Sequence, residues 1–167
     1  PAGSRLKPVL RPARPARTPH SRAQMRLPTV LAVLCLTAAP LAAQTRADST
    51  AIRAAALDYA EGWYTGDSTR MARALHPDLA KRIVRTDSTG KSRLGSMTAA
   101  QLVGAAGKGY GKETPPARQL KTVEILSITN GAASVKLTMS DWVDYMHLGR
   151  WNGEWKIVNV LWETTGT

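Results

Sequence analysis

The sequence predicts an α+β domain in which three helices pack on a strongly curved, mostly antiparallel sheet. Three observations predict it. Asn130-Gly131 and Asn152-Gly153 each lie between runs rich in β-branched and aromatic residues, and Asn-Gly supplies the positive φ angles that a two-residue hairpin turn requires. Apolar residues recur at helical spacing between Ala47 and Tyr64. Thr98-Ala-Ala-Gln101 is a capping-box pattern, in which each side chain satisfies the other's free backbone donor at a helix start.

The elements follow in order. Asp48, Ser49 and Thr50 offer N-cap oxygens to a helix over 47–64, whose apolar face is Ile52, Ala56, Tyr59 and Trp63. Gly66 suits the left-handed residue that ends a helix. Asp67 caps a short second helix, Ser68 to Leu75, which His76-Pro77-Asp78 closes. Leu79 to Met97 reads as a strand pair about the turn Asp87–Gly90. The third helix, opened by Thr98, buries Leu102, Val103 and Ala106. Residues 104–117, with four glycines and Pro115-Pro116, read as a mobile connection. Four longer antiparallel strands end the chain: Gln119–Ile128, Ala133–Val143 and the two arms of the hairpin at Asn152-Gly153.

Of 167 residues, 23 are Lys or Arg and 12 are Asp or Glu, a formal net charge of +11. Seven basic groups and no acids fall in residues 1–44, leaving 16 basic against 12 acidic beyond them, a net +4. That modest charge, with no basic helix face and no basic strip interleaved with aromatics, gives no reason to expect nucleic acid as a partner.

Residues 1–24 hold six basic groups and no acid. Met25-Arg26 then opens an apolar run, Leu27 to Leu41, followed by Ala42-Ala43-Gln44. A short basic start, an apolar core and a small-residue exit form the layout of a secretory signal peptide. The expectation is a signal over 25–43 cleaved near Ala43, a secreted or periplasmic single domain over 44–167, and a disordered upstream extension over 1–24. A basic arm for nucleic acid or anionic lipid is the alternative for 1–24. Pro28 and Pro40 break the apolar run, so no stable membrane anchor is expected. Cys35, the only cysteine, lies inside that run and follows Leu34 rather than a small residue. The domain beyond it therefore has no disulfide, thiol nucleophile or cysteine–zinc site.

By strict alternation the last strand is apolar on both faces, with Trp155, Ile157 and Leu161 on one and Val158, Val160 and Trp162 on the other. A sheet facing water on one side alternates polar and apolar residues. The expected cover is a second copy, giving a homodimer through the outer sheet face.

The segments D-Y-A-E-G-W-Y-T-G-D (58–67), A-L-H-P-D-L-A-K-R (74–82), M-T-A-A-Q-L-V (97–103), V-E-I-L-S-I-T-N-G-A-A-S-V-K-L (123–137) and D-Y-M-H-L-G-R-W-N-G-E-W-K-I-V-N-V-L-W (144–162) resemble, in order and spacing, the NTF2-like superfamily. The nearest branch is that of the putative lumazine-binding proteins, close to the SnoaL-like proteins. The resemblance covers nearly all of 47–163 and implies a cone-shaped, usually dimeric domain with a deep pocket between helices and sheet. It does not imply an activity, because the superfamily includes isomerases, cyclases, dehydratases and epoxide hydrolases beside binding and scaffold domains.

Within such a pocket Tyr59 and Trp63 offer a broad apolar surface with a polar tip, for ligand contact or for core packing. His76 either orients a ligand or satisfies carbonyls at the end of the second helix. Arg82 and Arg85 flank the first strand, and an inward arginine holds a carboxylate or phosphate by two parallel bonds. Asp141 follows Val135, Leu137 and Met139 at period two, which puts a carboxylate on an apolar face and makes it a candidate general base. Tyr145 and His147 share a face and are candidate oxyanion donors; a bulge near Asp141 would instead leave it solvated. Asn159, on the expected face of Trp155, completes the candidate ligand contacts with Trp155 itself. No regular His/Asp spacing suggests a metal, and nothing calls for a cofactor. The expected function is binding of a small, partly apolar ligand without catalysis. An isomerase-, cyclase- or dehydratase-type enzyme using a pocket carboxylate, and a dimerisation scaffold, are the alternatives.

Overall fold

A computed structural model describes residues 28–166, with side chains from residue 45. The expectations for residues 1–24 and for the start of the 25–43 segment lie outside the described residues. The chain forms two compact units, Pro1–Thr37 and Ala38–Thr167. Described residues of the first are helical. Among the described residues no helix is long and apolar enough to cross a membrane.

Helix α1 spans Pro28–Thr65 and so begins well upstream of the expected residue 47. The Ala- and Leu-rich stretch before Ala47 has high helix propensity and carries no stop signal beyond its prolines. Ile52, Ala56, Tyr59, Ala60 and Tyr64 form its buried face. Helix α2 (Ser68–Ala74) is capped by Asp67, whose side chain accepts from the Arg70 N–H at 2.9 Å. Strand β1 (Leu75–Thr86) follows directly, so His76-Pro77-Asp78 lies in a strand instead of closing a helix. Pro77 is tolerated because the β1 ladder is irregular there: Leu75 pairs with Ile157, and pairing resumes only at Ala80 with Asn159. A residue without an N–H is confined to such gaps.

Strand β2 (Ser92–Thr98) returns antiparallel to β1 about a turn in which the Asp87 carboxylate accepts from the Thr89 and Lys91 N–H groups. Helix α3 (Ala99–Gly107) opens on the expected capping box, with Thr98 and Gln101 bonded reciprocally. The connection after it, read from sequence as mobile, contains two 3₁₀ turns, Tyr110–Glu113 and Pro116–Arg118. Strands β3 (Lys121–Thr129), β4 (Ala132–Met139), β5 (Trp142–Trp151) and β6 (Glu154–Thr164) complete a six-stranded, curled and unclosed sheet of order β2-β1-β6-β5-β4-β3. All pairs are antiparallel except β1 with β6. Both Asn-Gly turns are present, with Asn130 and Asn152 at φ near 50°.

Two departures from strict alternation decide which side chains face inward. Strand β4 ends at Met139, four residues earlier than expected, because Ser140 is held from three sides. Its N–H donates to the Tyr64 hydroxyl (3.0 Å), its hydroxyl donates to the Arg118 carbonyl (2.6 Å), and the Leu120 N–H donates to that hydroxyl (3.2 Å). The chain turns there, and Asp141 is exposed at the turn. The second departure is a bulge in β6. Leu148 pairs with Ile157 and His147 with Asn159, leaving Val158 as the extra residue. Beyond it the faces exchange: Val160 is buried, whereas Asn159 and Leu161 point outward. The doubly apolar reading of β6 assumed no bulge. With the bulge, Trp155, Ile157 and Val160 share the core face. The outer face keeps a smaller apolar set, with Val84 paired to Leu94 and Tyr145 to Leu161, all exposed.

Helix α1 is tied to α2 by charge. Asp58 accepts from Arg70 and from Arg73, each at 2.8 Å, and Glu61 pairs with Arg70 and Lys121. The Arg73 hydrogen bond holds the Asp58 carboxyl below the usual carboxylate range against a smaller opposing effect of burial, with Arg70 assisting. A depressed folded value contributes stability that is present above the unfolded pKa of about 3.9 and is lost as pH falls through the folded value. Asp58→Asn is therefore expected to flatten the acid limb of the stability–pH curve, as read by denaturant unfolding at stepped pH. Packing gives a second expectation. A Cβ on buried Gly111 would lie 2.2 Å from the Trp63 carbonyl oxygen and 2.5 Å from its ring, whereas one on Gly104 in α3 would meet nothing within 4 Å. Gly111→Ala should lose about 1–3 kcal/mol or more in chemical denaturation, while Gly104→Ala should gain up to about 1 kcal/mol.

Candidate functional site

The inner sheet face carries one buried ion pair. Lys81 lies on β1 in alternation with Leu79 and Ile83, and Asp144 lies on β5 in alternation with Met146 and Leu148, so both point into the core. Asp144 is fully buried and Lys81 nearly so. The Lys81 ammonium is paired with Asp144 Oδ1 and donates to the Tyr59 hydroxyl at 2.8 Å. Trp142 Nε1 donates to Asp144 Oδ2 at 3.1 Å. Both carboxylate oxygens are thus engaged. The third ammonium N–H has aromatic faces for company, with the Trp162 ring centroid at 4.8 Å and that of Tyr59 at 5.5 Å.

Burial pushes the Asp144 carboxyl above the usual carboxylate range, opposed by the Lys81 charge and by hydrogen bonds from Lys81, Trp142 and Tyr59. Burial likewise lowers the Lys81 ammonium against the pull of Asp144. Desolvation outweighs mutual attraction for both partners. The Tyr59 hydroxyl is pushed well up, by burial first and then by the Asp144 charge, and stays protonated. Wherever the shared proton sits, the Lys81–Asp144 pair has no net charge.

Beside the pair is a cavity of about 130 Å³ lined by Tyr59, Trp63, Lys81, Met97, Leu102, Trp142 and Trp162. Its aromatic wall is built edge to face, with Trp63–Trp142 centroids 5.7 Å apart at 85° and Trp142–Trp162 6.3 Å apart at 73°. A second cavity, of about 240 Å³, shares Lys81, Met97 and Trp162 and adds Ile83, Arg85, Gly95 and Ser96. The first matches the single-ring scale of an engineered cavity of about 150 Å³ that binds benzene.

The structure brings Tyr59 and Trp63 to the first cavity and Arg85 to the second. It places the other sequence candidates elsewhere. Asp141, expected on the buried face, is exposed because the Ser140 turn interrupts the alternation. Tyr145 and His147 alternate with buried Asp144 and Met146 and so lie exposed on the outer face. Asn159 is outward through the β6 bulge, where its Oδ1 lies 3.5 Å from exposed Arg82. Trp155 is buried but away from the cavity: its Nε1 donates to Asp48 at 3.2 Å and Arg150 stacks on its ring. The His76 ring packs edge-on against Trp151, and its Nδ1 accepts from the Asp78 N–H at 3.1 Å. Among the described residues no cluster of three or more His, Cys, Asp or Glu could hold a metal. Sequence reasoning missed Lys81, Asp144 and Trp142 as a set. Their signal was present, since each charged residue alternates with apolar neighbours on its own strand.

The family model described as putative lumazine-binding matches residues 47–163. Among solved structures, an NTF2-like protein of unknown function from Shewanella baltica superposes with a TM-score of 0.58 at 21% identity, over 72% of this chain and 95% of its own. Another from Silicibacter pomeroyi gives 0.55 at 14% identity, over 72% and 98%. A ketosteroid isomerase-like protein from Erwinia carotovora atroseptica gives 0.50 at 13%, over 71% and 96%. At these identities the likeness is one of fold. No curated protein matches the chain.

The buried pair yields a sharp expectation. Lys81→Met leaves the Asp144 carboxylate buried without its partner and should destabilise by about 3–5 kcal/mol, whereas Lys81→Met with Asp144→Leu should recover most of that loss. Denaturant unfolding of the two variants beside the parent checks it; equal losses in both would contradict the coupling.

Proposed function

The chain belongs to the putative lumazine-binding family, NTF2-like in fold, and from that premise we propose that it is an exported domain whose tryptophan-lined cavity binds a small, partly apolar molecule without catalysing a reaction. The observation that carries this is a chamber walled by Tyr59, Trp63, Met97, Leu102, Trp142 and Trp162, with Lys81 as its polar tip and the charge of that tip cancelled by Asp144. Concave apolar sites with few convergent polar groups are the usual form of ligand pockets. A net-neutral pair favours an uncharged group beside it, since a lone ion in that chamber would lack compensation. Binding is preferred over proton transfer because Lys81 and Trp142 occupy both Asp144 oxygens.

The enzyme reading draws on the same carboxylate, which burial keeps easier to protonate than usual. It requires a ligand to displace one of those two donors, and it predicts turnover that Asp144→Asn abolishes. Homodimerisation through Val84, Leu94, Tyr145 and Leu161 on the outer sheet face remains part of the proposal. Light scattering at micromolar concentration tests it, and N-terminal sequencing of the product released from cells tests cleavage near Ala43.

The binding test is titration with N-phenyl-1-naphthylamine, a neutral fluorophore. Saturable binding by the parent protein is expected, weakened about tenfold in Met97→Trp, which fills the boundary shared by the two cavities. Absence of saturable binding, or binding indifferent to Met97→Trp, refutes the proposal.

A further inference from the structure

We infer that the ligand is an acidic amphiphile, with its apolar ring in the tryptophan chamber beside Lys81 and an oxyanion head, such as a carboxylate, held by Arg85 at the outer cavity. This rests on the binding reading above and narrows it to a chemical class.

Size is the first argument. The inner chamber, at about 130 Å³, holds a single ring. Only together with the adjoining 240 Å³ do the cavities reach the lower end of the range typical of ligand sites, roughly 300–1,000 Å³. A ligand larger than one ring must therefore extend past Met97 and Trp162, which both cavities share.

Charge is the second argument. The inner chamber ends on a neutralised pair, whereas the outer cavity ends on an arginine with no acidic partner among the described residues. Arg85 lies on the same face of β1 as Lys81 and Ile83, is exposed, and forms no salt bridge among the described residues. Directly across the β1–β2 ladder from it stands a second arginine, Arg93. Like charges placed opposite each other on one sheet face repel. The acid just beyond β1, Asp87, accepts at Oδ1 from Thr89 and Lys91 and reaches Arg93 only at 3.8 Å. An oxyanion between the two guanidinium groups would relieve the repulsion, and Arg85 can grip it through two parallel N–H bonds.

Spacing is the third. Arg85 lies four residue steps along the extended strand from Lys81, about 13 Å between Cα atoms. That span suits a flat body of two or three rings with the acid at one end.

The experiment compares two fluorophores with the same aromatic body, neutral N-phenyl-1-naphthylamine and its sulfonated counterpart 8-anilinonaphthalene-1-sulfonate. The parent protein should bind the sulfonate at least about tenfold more tightly. Arg85→Gln should erase that preference, weakening the sulfonate at least about tenfold more than the neutral probe. Lys108→Gln, which removes an exposed cation outside both cavity linings, should preserve it. Arg85→Lys should restore only part of the preference, because an ammonium lacks the fork. Equal affinity of the parent for the two probes overturns the inference while leaving the binding proposal intact. Equal loss of preference in Arg85→Gln and Lys108→Gln also overturns it, by assigning the effect to overall charge. Binding of neither probe overturns both.

Discussion

The contact between the Lys81 ammonium and the Asp144 carboxylate governs the rest of the site. Placing two ions in an apolar core is expensive, and attraction between them offsets that only when the remaining donors and acceptors are also satisfied. Here the Tyr59 hydroxyl accepts a hydrogen bond from the ammonium, Trp142 covers the second carboxylate oxygen, and the Trp162 face lies over the charge. Each satisfying group is aromatic, so the same side chains that keep the pair tolerable also form the cavity wall. Among the described residues no buried side-chain N or O atom is left unbonded. The polar network and the hollow beside it are thus one construction, and neither can be altered alone.

The helices hold this construction through a few strong links. Tyr64, one turn beyond Tyr59 and Ala60, presents its hydroxyl to the Ser140 turn and to the Leu120 carbonyl (2.8 Å). This fixes where β5 begins and therefore where the Trp142 indole and the Asp144 carboxylate fall. Gly111 lets the connection after α3 lie directly on Trp63. Each link acts on the cavity wall from outside it.

Much of the fold was legible in the sequence because its signals are local. The Asn-Gly turns, the Thr98–Gln101 capping box and the helical spacing through Tyr59 each depend on a few neighbouring residues, and each appears in the structure. The site was less legible because its geometry depends on interruptions of local pattern. Period-two counting carried from Val135 through Met139 to Asp141 ignores the turn that Tyr64, from a helix 76 residues earlier, imposes on Ser140. Counting from Trp155 to Asn159 ignores the extra residue in β6. Restarting the count at Trp142 would have shown Asp144 in step with Met146 and Leu148. The Lys81–Asp144 partnership joins residues 63 positions apart, and no local pattern encodes it.

The extra residue at Val158 also splits β6 into two independently phased halves. Trp155 and Ile157 obey one parity and Val160 the other, yet all three reach the same interior. Deleting the extra residue would leave a plainly alternating strand with Val160 and Trp162 still inward, whereas flattening the bulge at full length would drive Leu161 inward and swing the Trp162 indole away from Lys81 into water. A strand one residue shorter would need no bulge, but a strand of this length cannot do without one, so backbone irregularity and side-chain order are constrained together here.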